Sequence, residues 1–226
     1  MSTGQIITQL LTGMVEAEAS DLHLVPGYAA TYRTHGRLRT LGDDPLEPAA
    51  VGEMIDAILA EPVRRRLEKN KNVDFSLALE RDGVPCRFRG NVFYSRSHLC
   101  ACFRYIPNDI PSFEWMGFPR GLAERIVALR NGLVIVSGVT GSGKTTTLAS
   151  LINLRIHQGD CRLITVEEPI EYVFSGTASA VITQREVGVD VDSFYDGLTY
   201  GLRQDPDVIL VGEIRDLETA QMALRP

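Results

Sequence analysis

The chain has 226 residues, of which 44% are hydrophobic and 23% are charged, and its formal net charge is −6. This length and a mean hydropathy of −0.01 describe one or two ordinary globular domains with enough apolar residues for a core. No uninterrupted apolar run approaches the ~18 residues that a membrane span needs, and no Lys or Arg precedes Arg33, unlike in a secretory signal peptide. We therefore expect a cytoplasmic protein that does not insert into a membrane.

Charge is distributed unevenly along the chain. Residues 1–130 carry 16 basic and 16 acidic side chains, whereas residues 131–226 carry 7 and 13. Proteins that bind nucleic acid need a basic surplus to neutralise phosphates. Neither part of the chain has one, so we expect no nucleic-acid partner.

The first half of the sequence predicts an α+β module. Apolar residues recur at helical spacing between Ile6 and Val15, which indicates an amphipathic helix. Short alternating segments bounded by Gly, Asp and Pro follow and predict strands, with a helix between them. The predicted strands lie in residues 21–27, 30–41, 73–83 and 84–106, and the helix spans about residues 48–69.

A proline-rich segment then separates two parts of the chain. Residues 107–119 contain three prolines, a composition that resists both helix and central strand. We place the domain joint there, with one domain at residues 1–106, a linker at 107–119 and a second domain at 120–226.

The second half has the pattern of an α/β domain. Helices are predicted at residues 121–130 and 144–158, and apolar strands at 133–138, 162–168 and 207–213. Strands that are apolar throughout and separated by helices indicate a parallel sheet that is buried on both faces.

The stretch GVTGSGKT matches the phosphate-loop pattern G-x-x-x-x-G-K-[ST]. Glycines allow the main chain to approach phosphate oxygens closely, and the helix that follows adds the positive end of its dipole. Lys144 would bridge the β- and γ-phosphates, and the Thr145 hydroxyl would bind Mg²⁺. The predicted nucleotide-binding residues are Gly138, Thr140, Gly141, Ser142, Gly143, Lys144, Thr145 and Thr146.

Two predicted strands end in acidic residues. RLITVEE runs into Glu167 and Glu168, with Glu171 shortly after, and DVILVGE runs into Glu213. Ligands of open parallel sheets lie beyond the carboxyl ends of the strands. A carboxylate there can hold Mg²⁺, directly or through water, or orient the water that attacks a phosphate. The second strand ends in Gly-Glu, where an ordinary Walker B strand would end in Asp.

These motifs together resemble the PilT family of pilus-retraction ATPases, within the superfamily of type II and type IV secretion motors. The resemblance covers nearly the whole chain and rests on ASDLHL, HGRLRTL, RFRGNVFYSR, FRYIP, GVTGSGKTTTLA, TVEEPIEYVF, ITQREVGVD and LRQDPDVILVGEIRDLETAQMAL. It implies a PAS-like amino-terminal domain joined by a flexible linker to a RecA-like core, assembled as a homo-hexamer.

The resemblance also implies roles for individual residues. Lys144 and Thr145 match the phosphate-loop pair, Glu213 matches the glutamate that polarises water, and Glu167 and Glu171 match acidic positions of the aspartate box. Glu168 stands where the family often has Asp. Arginines of the amino-terminal domain reach a nucleotide bound to the core in such rings, and the candidates are Arg89, Arg96 and Arg104. Surface arginines with apolar stems against the sheet are the alternative interpretation.

The implied function is a motor subunit that binds and hydrolyses ATP with Mg²⁺ and moves a pilus or a secretion apparatus. It would be peripheral to the inner membrane through a platform protein. Relatives continue past ETAQMAL into a histidine box, so we expect a carboxy-terminally truncated core whose activity is in doubt. The alternatives are a type IV secretion or conjugation ATPase, and a nucleotide-binding module that does not hydrolyse ATP.

Overall fold

The computed structural model describes residues 3–81, 83–139 and 141–225, and the chain forms two compact units that divide between Asn108 and Asp109. Within the described residues, no helix is long and apolar enough to cross a bilayer.

The first unit is a six-stranded antiparallel sheet with helices packed against it. The sheet order is β3-β2-β1-β6-β5-β4. The elements are α1 (Thr3–Glu16), β1 (Ala19–Leu24), β2 (Thr31–Thr34), β3 (Arg37–Thr40), α2 (Pro48–Asp56), α3 (Glu61–Asn70), β4 (Asn72–Arg81), β5 (Val84–Ser95) and β6 (His98–Ile106). The apolar stripe of α1 supplies Ile7, Leu11 and Met14 to a core that also contains Leu22 and Phe103, all fully buried.

The helix predicted for residues 48–69 is in fact two helices. Pro62 lies in the first turn of α3, where its missing N–H costs nothing, and Ala60 before it adopts an extended conformation. The proline therefore starts a new helix rather than continuing α2.

The second unit contains a three-stranded parallel sheet in the order β8-β7-β9. Its elements are α4 (Phe113–Met116), α5 (Arg120–Val127), α6 (Lys144–Gln158), β7 (Cys161–Glu167), β8 (Ala180–Glu186), α7 (Phe194–Gly201), β9 (Val208–Val211) and α8 (Leu217–Ala223). Helix α6 packs with Leu163 and Leu210 on one face of this sheet, and α7 packs on β7 from the other. The sheet is thus covered by helices on both faces.

Most of the predicted linker packs within the second unit. Ser112 caps α4 by accepting a hydrogen bond from the Trp115 N–H, and Phe113 is buried beside Ala123 and Leu151. The Ser150 hydroxyl also donates to the carbonyl of Pro111 at 2.9 Å. The three prolines end regular structure, as expected, but they do not keep this segment away from the fold.

The strand predicted for residues 133–138 is absent, although these residues are described. Leu133 and Val134 are each 43% exposed and Ile135 is 72% exposed. Together with β9 this segment lines a cavity of about 460 Å³. An apolar run becomes a strand when it gains hydrogen bonds from a neighbour, and β9 pairs with β7 but not with this segment.

Candidate nucleotide-binding site

The phosphate loop precedes α6 and is open to solvent. Gly143 is the amino-terminal cap of this 15-residue helix, with left-handed φ and ψ of 88° and 20°, and no side chain caps the helix. The first-turn N–H groups are therefore left for another acceptor. Ser142 and Thr145 are exposed, so an anion can approach these groups directly. This arrangement provides the anion site that the motif predicts.

Side-chain contacts hold the loop in shape. The Lys144 ammonium donates to the carbonyls of Gly138 and Val139, at 3.0 Å each. A Cβ at Gly138 would lie 2.7 Å from the Ser142 hydroxyl, so a larger residue would displace that side chain. Lys144 is thus placed against the main chain of the loop, from which it can turn to a phosphate. Thr140, also predicted to bind nucleotide, lies outside the described residues.

Glu213 follows β9 and lines the same cavity as Ser137, the residue before the phosphate loop. Its Oε1 atom lies 2.8 Å from Nε of Arg215, and the two form an ion pair. This oxygen is nevertheless buried and receives no hydrogen bond from any described residue. The ion pair with Arg215 therefore leaves this oxygen without a well-directed hydrogen bond, which fits a site that receives a donor such as water.

Gly212 explains why β9 ends in Gly-Glu. Its N–H donates to the Val166 carbonyl at 2.8 Å, which brings the ends of β7 and β9 together. A Cβ at position 212 would lie 3.3 Å from Cα of Glu167 and 3.3 Å from the Val166 carbonyl oxygen. Any side chain here would press on main-chain atoms, so the close approach of the two strands favours glycine.

Glu167 is buried at the end of β7, with 6% of its surface exposed. Its Oε1 accepts from the Thr165 hydroxyl at 2.6 Å and from Nε2 of Gln184 at 3.3 Å. Burial raises the pKa of the Glu167 carboxyl, while these donors and the Glu171 N–H act in the opposite direction. Because protein groups already donate hydrogen bonds to this carboxyl, Glu167 is better suited to hold neighbouring residues in place than to coordinate a metal directly.

Glu171 and Tyr172 lie in the segment that follows. The Glu171 N–H bonds to Glu167, so the two acidic positions of the aspartate box are in direct contact. The Tyr172 hydroxyl lies 3.4 Å from Oγ1 of Thr146, the residue after Thr145. This segment therefore contacts the first turn of the phosphate-loop helix.

Sequence reasoning missed two polar residues of β8. Gln184 is aligned with Thr165, and Glu186 with Glu167, on one face of the parallel pair. Glu186 is 5% exposed, and its Oε2 accepts from the Ile170 N–H at 3.1 Å. Glu186 is also an acidic residue at the carboxyl end of a parallel strand. It would have been predicted as a site residue if ITQRE had been assigned as a strand.

The structure groups two of the three candidate arginines. Arg89 and Arg104 are cross-strand partners on β5 and β6. Arg104 Nε contacts the buried Asp21 carboxylate at 2.9 Å, and Arg89 lies 3.7 Å from Asp74. Arg96 is in the turn between these strands with a φ of 50°, about 23 Å along β5 from Arg89 at 3.3 Å per residue. One phosphate group could not be reached by all three side chains in this conformation.

Polar residues of the first unit form no recognisable metal centre. All four cysteines are free thiols, and three of them are buried. Across the described ranges, no three His, Cys, Asp or Glu side chains are grouped so that they could hold a metal ion. His23 has a buried Nε2 without a partner among the described residues, and burial lowers its pKa.

Comparison with known proteins decides the family. Residues 2–226 match the family described as type II/IV secretion system protein. The chain belongs to this family. It is 39% identical over 218 residues to the type IV pilus retraction ATPase PilT of Pseudomonas aeruginosa, and 36% identical over 216 residues to the type IV pilus ATPase PilU of the same organism. Each alignment covers 96% of this chain, and they cover 62% of PilT and 55% of PilU.

Two solved structures have the same fold. The crystal structure of the pilus retraction motor PilT with bound ADP matches with a TM-score of 0.86 and 40% identity, over 94% of this chain and 61% of that one. The ATPase DotB of Legionella pneumophila matches with a TM-score of 0.84 and 30% identity, over 99% of this chain and 62% of that one. The predicted resemblance and fold class are thereby confirmed. The chain spans about three-fifths of the length of these secretion-family relatives.

Proposed function

We propose that this chain belongs to a motor subunit that binds and hydrolyses ATP and drives a type IV pilus or a related secretion system. The open phosphate loop before α6 carries the proposal, because its uncapped N–H groups and Lys144 form a site for a triphosphate. The ADP named with the related PilT structure supports a nucleotide as the ligand. A type IV secretion or conjugation ATPase remains within the same proposal.

Hydrolysis is assigned to Glu213. The Oε1 of this residue is ion-paired with Arg215 without the geometry of a hydrogen bond, so it would accept a hydrogen bond from the attacking water. Glu167 and Glu171 would support it from the neighbouring strand end, where Glu167 holds the Glu171 main chain. Catalysis of phosphoryl transfer depends mainly on such positioning and on charge.

Mg²⁺ is the expected metal of the proposed reaction. It usually keeps several waters and binds through substrate phosphates with one or two protein ligands, so it does not require a cluster of carboxylates. The exposed Thr145 hydroxyl at the start of α6 fits one such ligand, and a water of the metal would suit Glu213 or Glu167. Bound Mg²⁺ would supply charge that neutralises the phosphate oxygens during transfer.

Ring assembly would complete the site. We propose a homo-hexamer in which Arg89 and Arg104 of one subunit approach the nucleotide of another, and a platform protein that holds the ring at the inner membrane. Rotation about the joint near Asn108 would then convert hydrolysis into work. An arginine that stabilises transferred charge can be worth ~10³-fold or more in rate.

The test compares Lys144→Ala with Lys69→Ala, which removes an exposed lysine of α3. Binding of a fluorescent ATP analogue and release of phosphate are measured with Mg²⁺ present. Loss of a charge-assisted contact should weaken binding by about tenfold or more for Lys144→Ala, and the control should bind as the parent chain does. Undiminished binding and turnover by Lys144→Ala would refute the proposal.

A second variant separates hydrolysis from binding. Glu213→Gln keeps the size of the side chain but removes its basicity, so turnover should fall by about 10²-fold while the nucleotide still binds. If the parent chain binds ATP without turning it over, the alternative of a non-hydrolysing nucleotide module is favoured.

A further inference from the structure

Residues 168–174, here called the acidic loop, are held by side chains of two strands. The Ile170 N–H donates to Oε2 of Glu186 at 3.1 Å, and the Glu171 N–H donates to the Glu167 carboxyl. The Phe174 N–H donates to Oε1 of Gln184 at 2.8 Å. The loop therefore depends on polar side chains of β7 and β8 for its main-chain hydrogen bonds.

The side-chain amide of Gln184 takes part in three hydrogen bonds, one as acceptor and two as donor. Its Oε1 accepts from Phe174, while its Nε2 donates to the Tyr172 carbonyl at 2.8 Å and to Oε1 of Glu167 at 3.3 Å. A primary amide provides an acceptor and two donors in one plane, whereas a carboxylate provides acceptors alone. The residue type at position 184 thus matches its three partners.

The acidic loop also contacts the phosphate-loop helix. Tyr172, whose carbonyl is fixed by Gln184, places its hydroxyl 3.4 Å from Oγ1 of Thr146. Thr146 directly follows Thr145, the candidate Mg²⁺ ligand. Movement of the loop would therefore disturb both the Glu167 carboxyl and the first turn of α6.

We propose that Gln184 is a positioning residue of the ATPase site, which fixes the acidic loop so that Glu167, Glu171 and Tyr172 keep their places beside the phosphate loop. The inference rests on the proposed function, since the site that Gln184 would serve is the site of hydrolysis. Gln184 itself has no role in the chemistry. Its effect is carried by the loop, and a displacement of about 1 Å in a site can cost 10²-fold in rate.

The variants are Gln184→Leu, which removes all three hydrogen bonds, and Gln184→Glu, which keeps the acceptor for Phe174 but loses both donations. Thr183→Val is the matched control, because Thr183 is the preceding residue of β8 and points to the opposite face of the sheet. Hydrogen exchange of the Ile170 and Phe174 amides reads the loop directly, without any need for activity.

With Gln184→Leu we expect the Phe174 amide to exchange up to about tenfold faster, which is the range for losing one net hydrogen bond. The Ile170 amide bonds to Glu186 instead, and we expect it to exchange faster because the released loop loosens that contact. With Gln184→Glu the Phe174 amide should stay protected while the Ile170 amide exchanges faster. Turnover should fall by about tenfold or more in both variants, whereas KM for ATP should change less than about threefold, because the loop reaches the first turn of α6 only through the long Tyr172–Thr146 contact and provides no phosphate ligand itself. Thr183→Val should match the parent chain in every measurement.

Parent-like exchange of the loop amides in both variants would overturn the inference. Faster exchange with unchanged turnover would also overturn it, since the loop would then not position the site. Faster exchange throughout the second unit would show a role in folding alone, and Gln184→Glu provides this comparison if Gln184→Leu does not fold. If the parent chain has no turnover, the proposed function fails, whereas the exchange data still report whether Gln184 holds the loop.

Discussion

Replacement of Gly212 by alanine should disturb both the sheet and the proposed site. The new Cβ would lie 3.3 Å from Cα of Glu167, 3.3 Å from the Val166 carbonyl oxygen and 3.7 Å from Cβ of Glu167. The first two neighbours belong to the main chain of β7, so they cannot turn aside as a flexible side chain would. The end of β9 must move instead, and the hydrogen bond from the Gly212 N–H to Val166 must lengthen from 2.8 Å.

The expected magnitude follows from two opposing terms. Forcing an extra methyl group into a packed region costs about 1–3 kcal/mol, and the lower entropy of alanine in the unfolded chain returns about 0.4–1 kcal/mol. We therefore expect Gly212→Ala to lower the free energy of unfolding by about 1–2 kcal/mol. Turnover should fall further than this loss implies, because Glu213 moves with the displaced strand end.

Urea denaturation and phosphate release would measure these two effects. Gly121→Ala is the control within the same unit, because Gly121 lies in α5 and an added Cβ there meets no atom within 4 Å. Gly121 lies in the first turn, where the helix-interior cost of glycine applies only in part, so the control should gain no more than about 0.5 kcal/mol. A Gly212→Ala chain with the stability and turnover of the parent would refute the argument that close strand approach requires glycine.

Other substitutions test contacts elsewhere in the chain. Arg215→Gln breaks an ion pair between the exposed Arg215 and Glu213, so the free energy of unfolding in urea should fall by less than about 1 kcal/mol while turnover falls several-fold. A larger loss of stability would contradict a local effect. Burial raises the pKa of Tyr32 to about 12 from an unfolded value of about 10, so its contribution to stability is complete below about pH 10 and is lost as pH rises towards 12. The parent chain should therefore lose about 2–3 kcal/mol of stability at alkaline pH that Tyr32→Phe does not lose. The free energy of unfolding at a series of pH values would measure this difference. Gly197→Ala would place a Cβ 2.6 Å from Cγ1 of Val166 and should cost roughly 1–3 kcal/mol, less in combination with Val166→Ala if the contact is the cause.

The sequence predicted best those features that depend on local pattern. The glycine spacing and the lysine of the phosphate loop imply a turn followed by a helix, and α6 begins at Lys144 as expected. Apolar runs flanked by turn residues likewise predicted β7 and β9. In each case the determining information lies within a few residues of the chain.

Features that depend on a distant partner were predicted less well. Residues 133–138 have the composition of a buried strand, but a strand also needs a neighbour with free N–H and carbonyl groups along its length. For residues 107–119 the sequence predicted too little structure rather than too much. Phe113 packs beside Leu151, and the residues next to Phe113 in the sequence do not reveal this contact. Pro62 was a local signal for a helix start, and it was overlooked in a long amphipathic pattern.

Glu167 and Glu213 occupy similar positions in the sequence but have different surroundings in the structure. Glu167 and Glu213 both follow apolar parallel strands, and both were predicted to serve the nucleotide. The Glu167 Oε1 accepts hydrogen bonds from Thr165 and Gln184, and burial raises the pKa of this carboxyl although those donors act to lower it. Glu213 Oε1 is buried and ion-paired with Arg215 at 2.8 Å, but that contact does not have the geometry of a hydrogen bond. Since orientation of water requires a carboxylate that can accept its proton, we propose Glu213 for that step and propose that Glu167 holds the acidic loop.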